Sequence, residues 1–125
     1  MTIRGIRGAT TVEQDEPQAV INAARELMLA ILEANPTLRP DEIASIFFTA
    51  TPDITSAFPA RAARELGPCW ADVPLMDALE MAVQGALPRC IRALVHWNTS
   101  LPQAQINHVY LHGAAVLRPD LAARC

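Results

Sequence analysis

Apolar and polar residues along the first third of the chain predict a strand and then a long helix. Residues 3–12 are rich in β-branched side chains, which favours a strand, and Gly5 and Gly8 within it indicate a bulge or the close approach of another element. Apolar residues then recur at the spacing of a helix that buries one face. The members of that set are Val20, Ala24, Leu27 and Ile31.

Polar residues mark the two ends of this helix. Asp15 and Gln18 have the spacing of a capping box, and Pro17 falls in the first turn, where proline is tolerated. Asn35 is followed by Pro36, and a residue before proline disfavours helical backbone. The helix is therefore predicted to begin after Asp15 and to end at Asn35.

The rest of the chain predicts further strands and one short helix. Residues 43–50 are apolar on both faces, which is typical of a strand covered on both sides. A short helix is predicted over residues 59–66, followed by Gly67. Residues 89–99 predict a long strand. Further elements are a short stretch near Val73 that can pair with the sheet, one or two helical turns at 77–81, a loop at 84–88 and a last strand at 107–112.

The predicted order β-α-β-α-β-β-β belongs to the α+β (mixed α/β) class, with a five-stranded mixed sheet and two main helices. At 125 residues the chain is expected to form one domain, residues 1–125. Two helices can cover only one face of such a sheet. Since the other face stays in water unless it meets a second copy, we expect a homo-oligomer.

The charged residues exclude several classes of function. Ten basic and 13 acidic residues give a net charge of -3, which argues against nucleic-acid binding by bulk electrostatics. All ten basic residues are arginine, so Schiff-base chemistry and a P-loop lysine are excluded. Every fixed positive charge is instead a planar guanidinium, which matches carboxylates and phosphates.

The cysteines and apolar runs bear on the compartment. The three cysteines form no CxxC pair, the N-terminus does not resemble a signal peptide, and no apolar run reaches the roughly 18 residues of a membrane span. We therefore expect a cytoplasmic protein that does not bind membranes and has free thiols at Cys69, Cys90 and Cys125.

Two arginines in predicted strands are candidates for binding an anion. Arg92 lies in the middle of strand 89–99, on the face formed by its even-numbered residues. A guanidinium there needs either a carboxylate partner, as in a structural ion pair, or a bound anion. Arg7 raises the same alternatives between Gly5 and Gly8. Together the two arginines favour a site for a dicarboxylate or a phosphate more than either does alone.

Other polar residues are less specific. Glu80 is either a salt-bridge partner or an acceptor or base for a substrate hydroxyl, and Tyr110 either satisfies a backbone group or contacts a ligand. His108 and His112 are separated by about 13 Å on a predicted strand, too far to share one zinc ion.

The sequence offers little support for nucleophilic catalysis. It contains no G-x-S-x-G motif and no glycine-rich phosphate loop, and Cys90 and His96 lie about 20 Å apart along their predicted strand. An arginine-rich pocket without a nucleophile is typical of catalysis by positioning and electrostatics. We expect no metal site.

Seven segments identify a family. They are IRGIRGATTV at 3–12, ATPD at 50–53, FPARA at 58–62, REL at 64–66, CIR at 90–92, HVYL at 108–111 and VLRPDL at 116–121. In these segments, which run in family order over nearly the whole chain, the sequence resembles the monofunctional AroH-type chorismate mutases of the Bacillus-like class. The resemblance implies a pseudo-α/β-barrel homotrimer with active sites at subunit interfaces. It also implies the cofactor-free Claisen rearrangement of chorismate to prephenate, in Phe and Tyr biosynthesis.

The resemblance also implies roles for individual residues. Arg92 would lie beside the breaking ether bond, Arg7 and Tyr110 would hold a substrate carboxylate, and Glu80 would accept a hydrogen bond from the ring hydroxyl. The wall across the subunit interface would include Phe58, Ala60, Arg61 and Arg64. Further substrate-binding residues would be Leu75, Met76, Asp77, Ala78 and Leu79, and Leu117 and Arg118 would belong to a closing tail.

Two departures from the family pattern bear on these roles. Asp77 stands where Bacillus members carry a cysteine near the hydroxyl, and it adds negative charge beside a dianionic ligand. The chain reaches Cys125 soon after Leu121, whereas family members often run longer, so few residues beyond Arg118 are present to close the site. Two other functions stay open: a non-catalytic trimeric module that binds small carboxylates, and a RidA-like imine deaminase, whose motifs are absent.

Overall fold

The computed structural model describes residues 2–118, which form one mixed sheet with helices on one side. The strands are β1 (Thr2–Thr11), β2 (Ile43–Ala50), β3 (Leu75–Leu79), β4 (Cys90–Thr99) and β5 (Val109–Tyr110), and the α-helices are α1 (Pro17–Ala34) and α2 (Ala60–Arg64). Short 3₁₀ turns lie at Pro40–Glu42, Pro68–Trp70, Gln103–Gln105 and His112–Val116. The α+β class and the order β-α-β-α-β-β-β are confirmed.

The sheet has the strand order β3-β2-β4-β1-β5. Its central strand, β4, is antiparallel to both β1 and β2, whereas β3 and β5 pair parallel with their neighbours at the two edges. This arrangement places β1 and β2, which are distant in sequence, on the two sides of β4, the strand that carries Arg92.

The core lies between α1 and one face of the sheet. The apolar side chains that recur at helical spacing in α1 point into this core, and so do the odd-numbered side chains of β4. The fully buried members are Val20, Ala24, Leu27 and Ile31 from the helix, with Ile91, Val95 and Trp97 from the strand. Each large aliphatic side chain buried here contributes about 1.5–3 kcal/mol.

Gly8 shows how closely α1 packs against β1. A Cβ atom at this position would lie 2.8 Å from Cδ1 of Ile31 and 3.1 Å from Cδ1 of Leu27. The pairing of β1 with β4 runs without a register shift. Gly8 therefore marks a close approach, one of the two alternatives predicted, and not a bulge.

The opposite face of the sheet, here called the open face, is not covered within the described chain. It carries the even-numbered residues of β4 and exposes four large apolar side chains, Ile3, Phe47, Met76 and Leu94. The prediction that β2 is covered on both sides is wrong for a single chain, because α1 and α2 both pack on the face of Ile46 and Phe48.

The predicted N-cap of α1 is wrong by one residue. The cap is Glu16, whose carboxylate accepts hydrogen bonds from two backbone N–H groups in the first turn. Asp15 instead accepts from the backbone N–H groups of Thr55 and Ser56 and from the Thr55 hydroxyl. Two adjacent acids were available, and the contact with the loop at residues 55–56 determined which one caps the helix.

Two short elements also differ from the prediction. Residues 77–81 do not form helical turns, because Leu75–Leu79 is the edge strand β3 and forms backbone hydrogen bonds with β2 that a single helical turn lacks. Val73, the predicted pairing position, lies buried just before it. The last strand is only Val109–Tyr110, and His112–Val116 turns away in a 3₁₀ conformation.

Candidate functional site

A cavity of about 270 Å³ opens on the open face of the sheet, and we call it the Arg92 cavity. All four residues predicted to be catalytic line it: Arg7, Glu80, Arg92 and Tyr110. The remaining lining residues are Gly8, Ala9, Phe47, Thr49, Ala93 and Leu94. Ala9 is the partner of Arg92 in β4 and of Tyr110 in β5, so a small side chain lies between the two larger ones.

Arg92 has an internal partner and still borders open space. Its Nε atom lies 3.3 Å from Oε2 of Glu80, and its side chain is 40% exposed. The same Glu80 oxygen accepts a hydrogen bond of 2.5 Å from the Thr49 hydroxyl. The guanidinium is therefore held beside an acid without being enclosed by it.

The Nε atom of Arg92 is itself buried, yet it lacks a hydrogen-bond partner among the described residues. The approach to Glu80 is close enough for an ion pair but does not have hydrogen-bond geometry. Because buried donors nearly always have an acceptor in folded proteins, this unmatched donor is an exception that marks Arg92 as incompletely satisfied. This atom is the most informative feature of the site.

Arg7 and Tyr110 lie on the neighbouring strands β1 and β5. The side chain of Arg7 is exposed, and its backbone N–H donates to Nδ1 of His108 at 2.9 Å. Tyr110 is half-buried and pairs through its backbone with β1. The two side chains reach the Arg92 cavity from the strands beyond β4, so they can contact a different part of a ligand from Arg92.

Cys90 begins the strand that carries Arg92. Burial raises the pKa of its thiol, and the charge of Arg92 opposes this effect. A thiol with a raised pKa is a weak nucleophile at neutral pH. The structure therefore gives Cys90 no nucleophilic role beside the cavity.

A second cavity, of about 510 Å³, lies between the β3 edge of the sheet and the loop that leads into α2, and we call it the Phe58 cavity. Of the residues predicted to bind substrate, Phe58, Arg61, Asp77, Ala78 and Leu79 line it. Phe58 is 71% exposed and Leu79 is 73% exposed, unusually high values for large apolar side chains. The predicted site residues thus form two groups on two separate cavities.

Asp77 lies in the second group. Its Oδ1 atom accepts a hydrogen bond of 2.9 Å from the N–H of Ala60, which is buried at the start of α2. Burial raises the pKa of the Asp77 carboxyl, whereas the Ala60 N–H and the charge of Arg64 oppose this effect. Asp77 therefore fastens α2 to β3, and within one chain it does not reach the cavity that contains Glu80.

Several predicted residues line neither cavity. Arg64 and Met76 are exposed, Leu75 is half-buried, and Leu117 and Arg118 are half-buried after the last 3₁₀ turns. The remainder of the VLRPDL segment and Cys125 lie outside the described residues.

Sequence reasoning missed Thr49 as a site residue. It was only a polar interruption in an apolar strand, but its hydroxyl contacts Glu80, and its backbone pairs with Arg92 across the sheet. The sole signal in the sequence is a hydroxyl residue within a strand that is otherwise apolar on both faces. That signal does not identify its partner, because the register between strands depends on the whole sheet.

The histidines have partners other than a shared ion. Nε2 of His112 lies 2.6 Å from Oε1 of Glu26, and His108 accepts from the Arg7 backbone. Within residues 2–118, no three His, Cys, Asp or Glu side chains converge in a way that could hold a metal ion. Over the same residues, no helix is both long and apolar enough to cross a membrane.

Comparisons with known proteins agree on one family. The family described as chorismate mutase type I matches residues 3–121. Chorismate mutase AroH of Thermus thermophilus is 55% identical over 119 residues, or 95% of this chain and 96% of that protein. Chorismate mutase AroH of Bacillus subtilis (strain 168) is 46% identical over 122 residues, or 98% and 94%. A solved chorismate mutase structure from Clostridium thermocellum has a TM-score of 0.85 at 43% identity, and the match covers 90% of this chain and 97% of that one.

Proposed function

The chain belongs to the type I chorismate mutases, which makes it an isomerase, and on this premise we propose how its own residues perform the reaction. Chorismate becomes prephenate within one molecule: the ether C–O bond breaks while a new C–C bond forms, and no atom is gained or lost. For such a pericyclic reaction the protein contributes orientation and stabilisation of charge in the transition state. We propose that these two contributions are sufficient without a cofactor.

Arg92 is proposed to stabilise the transition state. Partial negative charge develops on the ether oxygen as the C–O bond lengthens, and a guanidinium already in place binds that charge more strongly than it binds the substrate. The observation that carries this role is the side chain of Arg92, which is 40% exposed and lines the cavity, while its buried Nε has no hydrogen-bond partner among the described residues. An oxygen of the substrate would accept a hydrogen bond from the exposed part of this guanidinium.

The other residues of the Arg92 cavity are proposed to select one substrate conformer. Glu80 accepts a hydrogen bond from the ring hydroxyl, and Arg7 with Tyr110 holds a carboxylate. These contacts favour the compact diaxial conformer, in which the bond-forming carbons are close, so part of the barrier is met by orientation. The position of all four side chains on one cavity supports this assignment.

We propose further that the protein is a homotrimer whose active sites are shared between chains. The Arg92 cavity of one chain would meet the Phe58 cavity of the next chain. That next chain would supply Phe58 and Arg61 from the cavity and the exposed Arg64 from the same helix as Arg61, α2. Two observations support the assembly. The predicted substrate-binding residues are divided between two cavities, and the open face exposes apolar residues that association would bury, including Ile3 at 58% and Met76 at 57%.

The remaining proposals concern the tail and the cellular setting. Leu117 and Arg118 are proposed to close over the bound substrate, because they follow a short 3₁₀ segment next to β5. We propose a cytoplasmic enzyme of Phe and Tyr biosynthesis, and the free thiols of Cys69 and Cys90 fit a reducing compartment.

Replacing Arg92 tests the central role. Arg92→Ala should lower kcat/KM for chorismate roughly 10²- to 10³-fold, about 3–4 kcal/mol, as is typical for the loss of one preorganised donor to a developing oxyanion. Arg92→Lys should restore little, because a point charge replaces a planar fork. The conversion of chorismate to prephenate can be followed directly by NMR.

Arg39→Ala is the matched control, because Arg39 is an exposed arginine paired with Asp41 on the surface. It should retain wild-type turnover. If Arg92→Ala also retained it, the proposed role would be wrong. The same assay separates the alternatives, because a non-catalytic carboxylate-binding module would bind chorismate without converting it, and an imine deaminase would leave it unchanged.

A further inference from the structure

Thr49 lies on β2, the strand between β4, which carries Arg92, and β3, which leads into Glu80. On β2 it shares the open face with Phe47, whereas Phe48 is buried in the core. Its backbone partner in β4 is Arg92, and its partner on the other side, in β3, is Ala78, two residues before Glu80. The sheet thus places one hydroxyl next to the strand of the guanidinium and next to the strand that leads to the carboxylate.

The hydroxyl makes the shortest polar contact to Glu80. Oγ1 of Thr49 donates to Oε2 of Glu80 at 2.5 Å, and Nε of Arg92 lies 3.3 Å from that same oxygen. The backbone N–H of Glu80 donates to the carbonyl of Ala50 at 2.9 Å, so the main chain of Glu80 is fixed next to Thr49. Among the described residues, both polar contacts of the Glu80 side chain fall on Oε2.

We infer that Thr49 is a positioning residue of the active site, which holds the Glu80 carboxylate and keeps it from closing onto Arg92. The inference rests on the proposed role of Glu80 as the acceptor for the ring hydroxyl. With Oε2 engaged by Thr49, Oε1 is the oxygen that serves the substrate. Because the Thr49 hydrogen bond holds Oε2 where Nε of Arg92 reaches it at 3.3 Å without hydrogen-bond geometry, the Arg92 guanidinium is not committed to Glu80 and can serve the ether oxygen.

Threonine suits this role for a physical reason. Its β-branch restricts rotation about χ1, so the hydroxyl direction is defined before the substrate arrives. Without the hydroxyl, the nearest donor to Oε2 is the Arg92 guanidinium, and a charged pair in a partly buried cavity attracts strongly. The carboxylate would then move towards Arg92. This movement would displace the acceptor for the ring hydroxyl and would also engage the guanidinium that is needed for the ether oxygen.

The test compares substitutions that keep or remove the hydroxyl. Thr49→Val preserves the branched shape and should lower kcat roughly ten- to a hundredfold, as expected for loss of a hydrogen bond to a charged group, with a smaller change in KM. Thr49→Ser keeps the donor and should stay within about threefold of wild type. Thr49→Ala is a second variant without the hydroxyl, in case Thr49→Val does not fold.

Thr37→Val is the matched control, since Thr37 is exposed in the loop between α1 and β2. It should leave kcat unchanged, and circular dichroism and thermal unfolding should report folded protein for every variant compared. Equal kcat for wild type and Thr49→Val would overturn the inference, as would failure of Thr49→Ser to restore activity.

A double-mutant cycle with Glu80→Gln shows whether Thr49 acts through Glu80. If it does, adding Thr49→Val to Glu80→Gln should change kcat little, whereas losses that multiply would contradict the inference. If Glu80→Gln is impaired while Thr49→Val is not, only the positioning role fails. If Glu80→Gln keeps wild-type kcat, the proposed role of Glu80 fails and the inference fails with it.

Discussion

The guanidinium of Arg92 lies beside the Glu80 carboxylate, and the buried Cys90 precedes Arg92 by two residues in β4. Burial raises the pKa of the Cys90 thiol, so at neutral pH Cys90 adds no second negative charge near Arg92. Glu80 contributes one charge, and the Thr49 hydroxyl is its closest partner. At this scale the centre of the Arg92 cavity pairs the Arg92 guanidinium with one acid held in place, and Arg7 lines the same cavity.

Asp77 places a carboxylate on the Phe58 cavity, and its amide variant tests what that charge does. Asp77→Asn keeps an oxygen to accept from the Ala60 N–H but removes a charge from the Phe58 cavity. We expect KM for the dianionic substrate to fall roughly two- to tenfold, as for removal of one like charge at a partly solvated site. Steady-state kinetics measures this, and a higher KM would show that the carboxylate aids binding.

The stability of the same variant should depend on pH with a defined sign. Burial raises the pKa of Asp77 above its ordinary 3.8, so the folded wild type binds a proton more readily than the unfolded chain does. Wild-type stability should therefore rise relative to Asp77→Asn as pH falls from the raised pKa towards 3.8. Urea unfolding at several pH values checks this, and a difference independent of pH would contradict it.

Hydrogen bonds around the ATPD segment, residues 50–53, connect three strands at a point just before Arg92 in the chain. The Thr51 hydroxyl accepts from the N–H of Cys90 at 2.9 Å and donates to Oδ1 of Asp53 at 2.5 Å. Oδ2 of Asp53 accepts from the N–H of Arg89 at 2.9 Å, and Nε of Arg89 donates to the carbonyl of Val12 at 2.8 Å. These bonds join the ends of β1 and β2 to the start of β4.

Asp53→Asn should weaken this junction. The two carboxylate oxygens serve different donors, and an amide has only one acceptor oxygen, so one hydrogen bond is lost. We expect the free energy of unfolding at neutral pH to fall by about 1 kcal/mol, measured by urea denaturation. An unchanged free energy would mean that the junction carries no stability.

Acid should reduce the difference in the free energy of unfolding between Asp53→Asn and wild type. The hydrogen bond from Thr51 lowers the pKa of Asp53 below its ordinary 3.8. The stability contributed by this carboxylate is therefore fully present above 3.8 and is lost as pH falls through the lowered pKa. The variant lacks this titration, so the two unfolding curves should converge in that range. If the variant remained less stable than wild type in strong acid, its lower stability would have a cause other than the Asp53 carboxylate.

Across the whole molecule, nine of the 15 residues that the family pattern assigns to one active site line a cavity, and these nine are divided between two cavities. Ile3, Phe47, Met76 and Leu94 leave the open face apolar, and Phe58 is largely exposed at the edge of α2. An assembly in which chains share their sites accounts for both features, because each chain then contributes one half of two different sites.

Mixing two inactive variants tests this shared site. Arg92→Ala disables the Arg92 cavity, and a variant with both Arg61→Ala and Arg64→Ala disables the other group. Each variant should have weak catalytic activity when it is refolded alone. After co-refolding in equal amounts, about a quarter of the sites should combine two intact halves, and activity should return to that level.

Light scattering on the same samples gives the mass of the assembly, which should be that of three chains. Each variant refolded alone is the control and should stay inactive. Absence of recovery in a mixed trimer would place both groups of residues in sites within one chain, and a monomer with full activity would contradict a shared site altogether.

Local periodicity determined much of this protein. The spacing of Val20, Ala24, Leu27 and Ile31 defines α1, and alternation along β4 places Arg92 on the face opposite the core. These features depend only on how many residues make one turn of a helix or one repeat of a strand, and neighbours in sequence contain that information. The family motifs in addition predicted the site residues and identified the reaction.

Contacts between distant residues were decided only by the tertiary structure. The Thr49–Glu80 hydrogen bond joins positions 31 apart, and it exists because the register of β2 with β3 and β4 brings them together. The choice of Glu16 over Asp15 as the helix cap, and of strand over helix at Leu75–Leu79, likewise depended on a loop and a strand edge elsewhere in the chain. Such contacts are selected by the packing of the whole sheet, which no short stretch of sequence specifies.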